Sequence, residues 1–450
     1  MAARPDANCH FAADAIEQQS ELRDAAIAGD ADARQQYNEL LQEHARQLAQ
    51  CRRQTWPPQQ AIWLRLYPCD LQTGAVDAIL DDIVARGYNQ VYVEAFYDGQ
   101  VLLPVEDNPT PWPSALRAPG TESVDLLAQA IAKGRERGLR VYAWMFSLNF
   151  GYSYTQDAER QPALALNGRG QNTLDFIPNA SQVFVDPYHL LARQDYARLV
   201  QAVLQRQPDG VLFDYIRYPR GIGGDSVADT VSDLWIYSDA SRAALLARAE
   251  NAKSRLLIER YLERGYLTAD DLNAADKLGS GPARWQGRPS GSSALQRDLW
   301  RLSVAHAAQG VIDFLNAAAQ PVRQRGLPAG AVFFPDGNQI VGAQGFDSRL
   351  QPWAKFPSTL EWHAMSYGVC GKTDCISDLV QRVVDRAPSG TRIIPALAGD
   401  WGRSYDNRPP LEAQMNDLHR RFPQIQAVSH FSYEWQTPEL ARERKFCPTP

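Results

Sequence analysis

The chain has 450 residues, 44% of them hydrophobic and 22% charged, a globular composition that excludes intrinsic disorder and suffices for one large domain with an appendage. A net charge of −6 without any Lys/Arg-rich run excludes a nucleic-acid track or an anionic membrane surface, and fits neutral or cationic partners better. No apolar stretch approaches the roughly 18 residues that span a bilayer, so no integral membrane segment is expected.

Residues 1–55 are rich in Ala, Gln, Glu and Arg, with Phe11, Ile16, Leu22, Tyr37, Leu40 and Leu48 at helical spacing. They predict a two-helix hairpin that turns near Gly29-Asp30. After Pro57-Pro58 the chain alternates short β-type runs with amphipathic helical stretches. The runs cover 61–67, 90–96, 140–146, 210–216, 331–334, 361–367, 392–398 and 427–433, and the helical stretches 76–86, 123–137, 190–206, 295–319, 376–386 and 411–421. Eight such runs predict an α/β fold, a closed parallel (β/α)8 TIM barrel over 56–450. No Gly-x-Gly-x-x-Gly follows the first run, which argues against a dinucleotide-binding open sheet.

Two connections are longer than a bare barrel needs: 97–121, with Pro104, Pro109, Pro111 and Pro113 near Trp112, and 220–295, a helical insertion after the fourth run. Both leave the C-terminal ends of strands, where barrel enzymes build their clefts. Six cysteines show no metal-type Cys-x-x-Cys pair with histidine partners, so disulfides are the expectation. A helical hairpin would bring Cys9 beside Cys51, Cys370 and Cys375 flank a loop containing Gly371, and Cys69 and Cys447 follow the first and last strands. Three bridges imply an oxidising compartment: secreted, periplasmic or cell envelope. A monomer is expected.

Alternation in the fourth run turns Leu212 and Asp214 into the barrel, with Val211, Phe213 and Tyr215 under the helices. Asp214 then stands at the mouth with Arg217 beside it. A carboxyl group for proton transfer, a cation to orient it and aromatic faces for pyranose rings are what cleavage of a sugar polymer requires. The candidates for a second carboxylate are Glu434, Asp336 and Asp400, each just past a strand, with Glu94 inside the second. Parity places Glu434 on a face with Ser432 and His430, a polar stripe suited to a wet mouth. In an eight-stranded barrel about 15 Å across, opposed side chains such as Asp214 and Glu434 would end about 9 Å apart, near the roughly 6.5–9.5 Å span of inverting carboxyl pairs. Glu94, Tyr97, Trp144, Arg217, His363, Tyr367, Trp401, Tyr433 and Trp435 are the expected sugar-binding residues, aromatic for the most part and at or past strand ends. Seven scattered histidines show no His-Glu-x-x-His, so neither a metal nor a cofactor is expected, and no Gly-x-Ser-x-Gly elbow supports serine chemistry.

The run 208–219, PDGVLFDYIRYP, resembles the Asp-Gly-x-x-x-Asp-Tyr-x-Arg-Tyr-Pro signature of the family 10-like glycosyl hydrolases. Weaker pieces follow the same order: Val91-Tyr92-Val93-Glu94, Val141-Tyr142-Ala143-Trp144, Val185-Asp186-Pro187, Met365-Ser366-Tyr367 and Phe431-Ser432-Tyr433. The resemblance implies a (β/α)8 fold, a polysaccharide or oligosaccharide substrate, and a place for Asp214 in the active site. Phe334-Pro335-Asp336-Gly337 matches the family's strand-five segment only loosely, and neither the hairpin nor the insertion is covered. Two other classes compete. One is a carbohydrate-binding barrel without turnover. The other is a phosphate-ester enzyme, disfavoured because no Gly-rich phosphate loop follows the last two strands.

Overall fold

Eight parallel strands close on themselves in a computed structural model that describes residues 8–177, 181–291 and 293–446. In chain order they are β1 (Gln59–Leu64), β2 (Gln90–Tyr97), β3 (Arg140–Phe146), β4 (Gly210–Asp214), β5 (Ala329–Phe333), β6 (Glu361–Met365), β7 (Ile393–Ala398) and β8 (Ala427–Phe431). Each pairs with its sequence neighbours, and closure comes from β1, which pairs with β2 through Ala61↔Gln90 and with β8 through Gln59↔Ala427. The fold is the closed eight-stranded barrel that the alternation predicts.

Several runs stop earlier than their composition suggests. β1 gives way to a 3-10 turn at Pro68, β4 ends where Tyr215 turns left-handed, and a helical turn, Tyr433–Gln436, begins two residues after β8. Helix 295–319 runs on to Gln324, with Pro321 in its last turn. Inward-facing residues fill the lumen. Trp63 donates its Nε1–H to Ser429 Oγ (3.1 Å) and packs edge-on against Trp144 (4.8 Å) and Tyr92 (4.9 Å). Gly330 is required here, since a Cβ would lie 2.6 Å from Leu212 and 2.7 Å from His363.

The N-terminal helices Ala13–Ile27 and Ala31–Gln54 form the expected hairpin, joined by the Cys9–Cys51 disulfide. They pack on the barrel, with Tyr37 Oη donating to Asp81 (2.8 Å) and Arg52 Nε to the Gly87 carbonyl (2.8 Å). Cys370 and Cys375 form a second disulfide, whereas the expected Cys69–Cys447 bridge involves a cysteine outside the described residues. The insertion after β4 carries helices Asp239–Leu246, Ala252–Arg264 and Ala269–Asp276. It is tied to the loop after β5 by a small sheet in which Phe346 pairs with Ala228. No helix among the described residues is long and apolar enough to cross a membrane.

Candidate active site

The site is built where β4 ends. Tyr215 has φ 51°, a conformation uncommon for a bulky residue, and its N–H turns back onto Asp214 Oδ1 at 2.6 Å. From the adjoining strand, Trp144 donates its Nε1–H to Asp214 Oδ2 at 3.1 Å. Asp214 is 5% exposed. Burial pushes its carboxyl up to about 6, against the Tyr215 amide, the charge of Arg217 and the Trp144 bond, all of which favour the anion.

A second group of charges lies across β3. Arg65, just past β1, donates from Nη2 to Glu94 Oε1 (2.9 Å) and from Nε to Oε2, with its guanidinium 4.8 Å from the centre of the Tyr97 ring. Glu94 has no exposed surface, and burial lifts its carboxyl to about 7 against the pull of Arg65. The backbone N–H of Arg65 donates to Glu434 Oε1 at 2.8 Å. At the turn after β2, Asp98 (φ 44°) is half-buried, and burial raises its carboxyl while Arg65 opposes the shift. Its charge opposes ionisation of Tyr97, Glu94 and Tyr215.

Aromatic rings line the wall. Phe146 packs on Tyr215 (4.1 Å between centroids), Phe431 lies near Trp144 (6.2 Å), Tyr367 (5.7 Å) and Trp435 (5.3 Å), and Tyr405 extends the row (5.2 Å from Trp435). Arg408 ties this row together by donating to the Tyr367 carbonyl (3.2 Å). The structure thus gathers Asp214, Glu94, Tyr97, Trp144, Arg217, Tyr367, Glu434 and Trp435 from the expected set.

Other expected site residues lie elsewhere. Glu434 does not share an inward face with His430, which points to the outer layer, where its Nδ1 meets Tyr88 Oη (2.9 Å) and its ring packs on Trp401 (5.3 Å). Glu434 instead reaches the β1 rim from the helical turn after β8. Tyr433 is fully buried near Arg86 and Arg444, because that turn rotates it away from the mouth. Trp401 donates to Tyr88 Oη (3.0 Å) and packs on His10, so it joins the hairpin to the barrel flank. His363 is sealed in the lumen 3.4 Å from Glu361. Asp400 is held by Arg403 and the Trp401 amide. Asp336 pairs with Arg349 (3.1 Å) at a half-exposed rim. Neither shares a hydrogen bond or ion pair with Asp214 or Glu94 among the described residues. Trp112, 1% exposed, is core beneath its proline-rich loop, packed on Phe96 and Tyr154.

Tyr215 also leaves its expected place under the helices, since the left-handed turn swings its ring onto Phe146 at the mouth. Three residues were not anticipated from the sequence. An arginine inside the apolar run 61–67 was a signal for Arg65, Phe431 is the inward residue that correct parity in β8 selects, and Asp98-Gly99 reads only as a turn. Among the described residues no group of three or more His, Cys, Asp or Glu is disposed to hold a metal ion.

No curated protein matches the chain in sequence. Among solved structures it is similar to an inactive mutant of a GH20 exo beta-N-acetylglucosaminidase from Vibrio harveyi, with TM-score 0.45 and 9% identity over 86% of this chain and 52% of that one. This chain therefore spans about half the length of that protein. It is also similar to a GH18 chitinase from Pseudoalteromonas aurantia, with TM-score 0.39 and 11% identity over 83% of this chain and 93% of that one. Residues 48–245, which carry the first four barrel strands and Asp214, match the family described as Glycosyl hydrolase-like 10, the family that the strand-four signature resembles.

Proposed function

We propose that the protein is a glycoside hydrolase that cleaves a glycosidic bond of a polysaccharide or oligosaccharide at the C-terminal mouth of its barrel. The observation that carries this reading is Asp214: a carboxyl held by two donors in a ring-lined mouth, with burial raising it to about 6. A carboxylic acid kept partly protonated near neutrality is what a general acid needs to donate to a departing glycosidic oxygen. The reading therefore assigns Asp214 the proton and the rings of Tyr215, Phe431 and Trp435 the faces of the sugars.

Hydrolysis with either stereochemistry uses a second carboxyl group. Glu94 is wholly buried and bound to Arg65, so it acts as a positioning residue that fixes the rim of β1. The companion carboxyl is assigned to Asp98, on the rim two strands from Asp214, a lateral separation of about 9.6 Å between strand axes. Glu434 is the alternative, on the far side of Arg65. The disulfides support a secreted, periplasmic or envelope location, because such bonds persist in oxidising compartments.

The test is a panel of bacterial and algal polysaccharides with product analysis, run on the wild type and on Asp214→Asn, Asp98→Asn and Glu434→Gln. Release of oligosaccharides by the wild type and its loss in folded Asp214→Asn is expected. Equal rates for the two would refute the reading. The second acid is whichever of Asp98 and Glu434 falls with Asp214. A carbohydrate-binding barrel without turnover is the competing reading, favoured by the engagement of Glu94 with Arg65, and binding without products would support it.

A further inference from the structure

Arg217 is the unusual cation of the mouth. It is 7% exposed, and its Nη1 donates to the Tyr218 carbonyl at 3.0 Å. Its Nε is buried without an acceptor, and no carboxylate among the described residues forms an ion pair with it. Three ring faces enclose it: Tyr215 at 4.4 Å, Phe184 at 5.7 Å and Phe334 at 5.8 Å. The neighbouring cations are neutralised. Arg349 pairs with Asp336 and Asp347, Arg65 with Glu94, Arg403 with Asp400 and Arg408 with Asp406.

A guanidinium removed from water without an anion costs several kcal/mol, and cation–π contacts of about 0.5–2 kcal/mol each only partly offset that cost. The same burial lowers the affinity of Arg217 for its proton, with Arg349 adding repulsion. Asp214 supplies charge nearby, yet both of its oxygens are engaged by Trp144 and Tyr215.

We propose that Arg217 is a subsite for an anionic group on the glycan, a uronate carboxylate or a sulfate ester, on a sugar close to the bond presented to Asp214. The planar fork of arginine suits both groups, and in a dry site such charge-assisted bonds are strong. The inference rests on the reading of the mouth as a glycan site and deepens it by naming an acidic substrate class. It departs from the preference for neutral or cationic partners that net charge suggests. Surface charges are screened over roughly 8–10 Å in salt, whereas a buried guanidinium acts at contact.

The experiment measures binding, by calorimetry or retention on immobilised glycan, of alginate, polygalacturonate, chondroitin sulfate, carboxyl-reduced alginate and a neutral β-glucan. Proteins are the wild type, Arg217→Gln and Arg217→Lys, with folding checked by thermal unfolding. The wild type should bind at least one acidic polymer, and Arg217→Gln should weaken that binding about tenfold or more, a larger loss than for any neutral glycan. Arg217→Lys should recover part of the loss. Carboxyl reduction abolishing binding points to uronate, and selective binding of chondroitin sulfate points to sulfate. If Arg217→Gln does not fold, Arg217→Lys carries the test: folded Arg217→Lys must bind the acidic polymers more weakly than the wild type, with the neutral β-glucan less affected, because an ammonium lacks the planar fork of the guanidinium. Binding of neutral glycans only, of none, or of acidic glycans with equal strength in folded Arg217→Gln, overturns the proposal. Acidic binding that needs Arg217, with no products from any glycan, would keep this subsite and remove the hydrolase reading.

Discussion

Asp214 combines a buried carboxyl group with a neighbour, Tyr215, held in the left-handed region, and the burial has separable consequences. If it is the proton donor, kcat/KM falls as pH rises through about 6, by a factor approaching ten per pH unit; a pH–rate profile flat from 5 to 8 would contradict that role. Asp214→Asn should lower turnover by a thousandfold or more on any cleaved glycan, read from initial rates. Its stability should change in the opposite direction. A folded-state pKa raised from 3.8 to about 6 contributes stability that is fully present below about pH 4 and lost as pH rises through 6. The neutral amide escapes that loss. Asp214→Asn should therefore unfold at higher urea than the wild type at pH 8, by about 1–3 kcal/mol, with the gap closing by pH 4. Much of this residue was legible, because strand parity alone turned it inward. Asp98 was not: the role proposed for it depends on where the turn after β2 lies relative to the end of β4, a relation that sequence spacing does not encode.

Among the elements, the hairpin gives the clearest case of local sequence becoming tertiary structure. Asp30 caps the second helix by accepting from the Asp32 and Ala33 amides, and the Cys9–Cys51 bridge closes a loop of 42 residues. Replacing both cysteines by alanine should cost about 2–4 kcal/mol through the freedom returned to the unfolded chain, measured as a lower denaturation midpoint. The ring closed by Cys370 and Cys375 spans only 5 residues, so its removal should cost less, about 2 kcal/mol. Strand β8 is the case where the element misled. Its run 427–433 reads as one strand, yet the chain leaves the sheet after Phe431, and Ser429 rather than His430 faces the lumen. In a parallel barrel both faces are buried, so alternation of polar and apolar residues carries little information about which side is inward.

At the scale of the whole molecule, the closed barrel buries titratable groups on both of its layers. His430 sits against Tyr88 and Trp401, and His306 accepts from Arg248 Nε at 2.9 Å while stacking on Tyr188. Burial, helped by nearby cationic side chains, lowers both imidazoles from 6.5 to about 3. The stability they contribute is present above pH 6.5 and lost as pH falls toward 3. The denaturation midpoint should therefore drop across that window, and NMR titration should show both rings still neutral at pH 5. Lumen packing sets a second limit. Gly330→Ala would push a methyl group into Leu212 and His363, with an expected cost of about 1–3 kcal/mol seen as a lower melting temperature.

Alternation of β-type runs and helical stretches, the spacing of the hairpin and the signature around Asp214 were determined by the sequence itself, because they depend on local periodicity and on contacts that each segment makes for itself. What faces what across the barrel was decided by tertiary structure. Closure joins β1 to β8, brings Arg65 onto Glu94 and Glu434, and leaves Arg217 among rings with no ion pair to a carboxylate among the described residues. Those relations arise from the positions of strand ends and loops in space, and burial then sets the charge of each group that meets there.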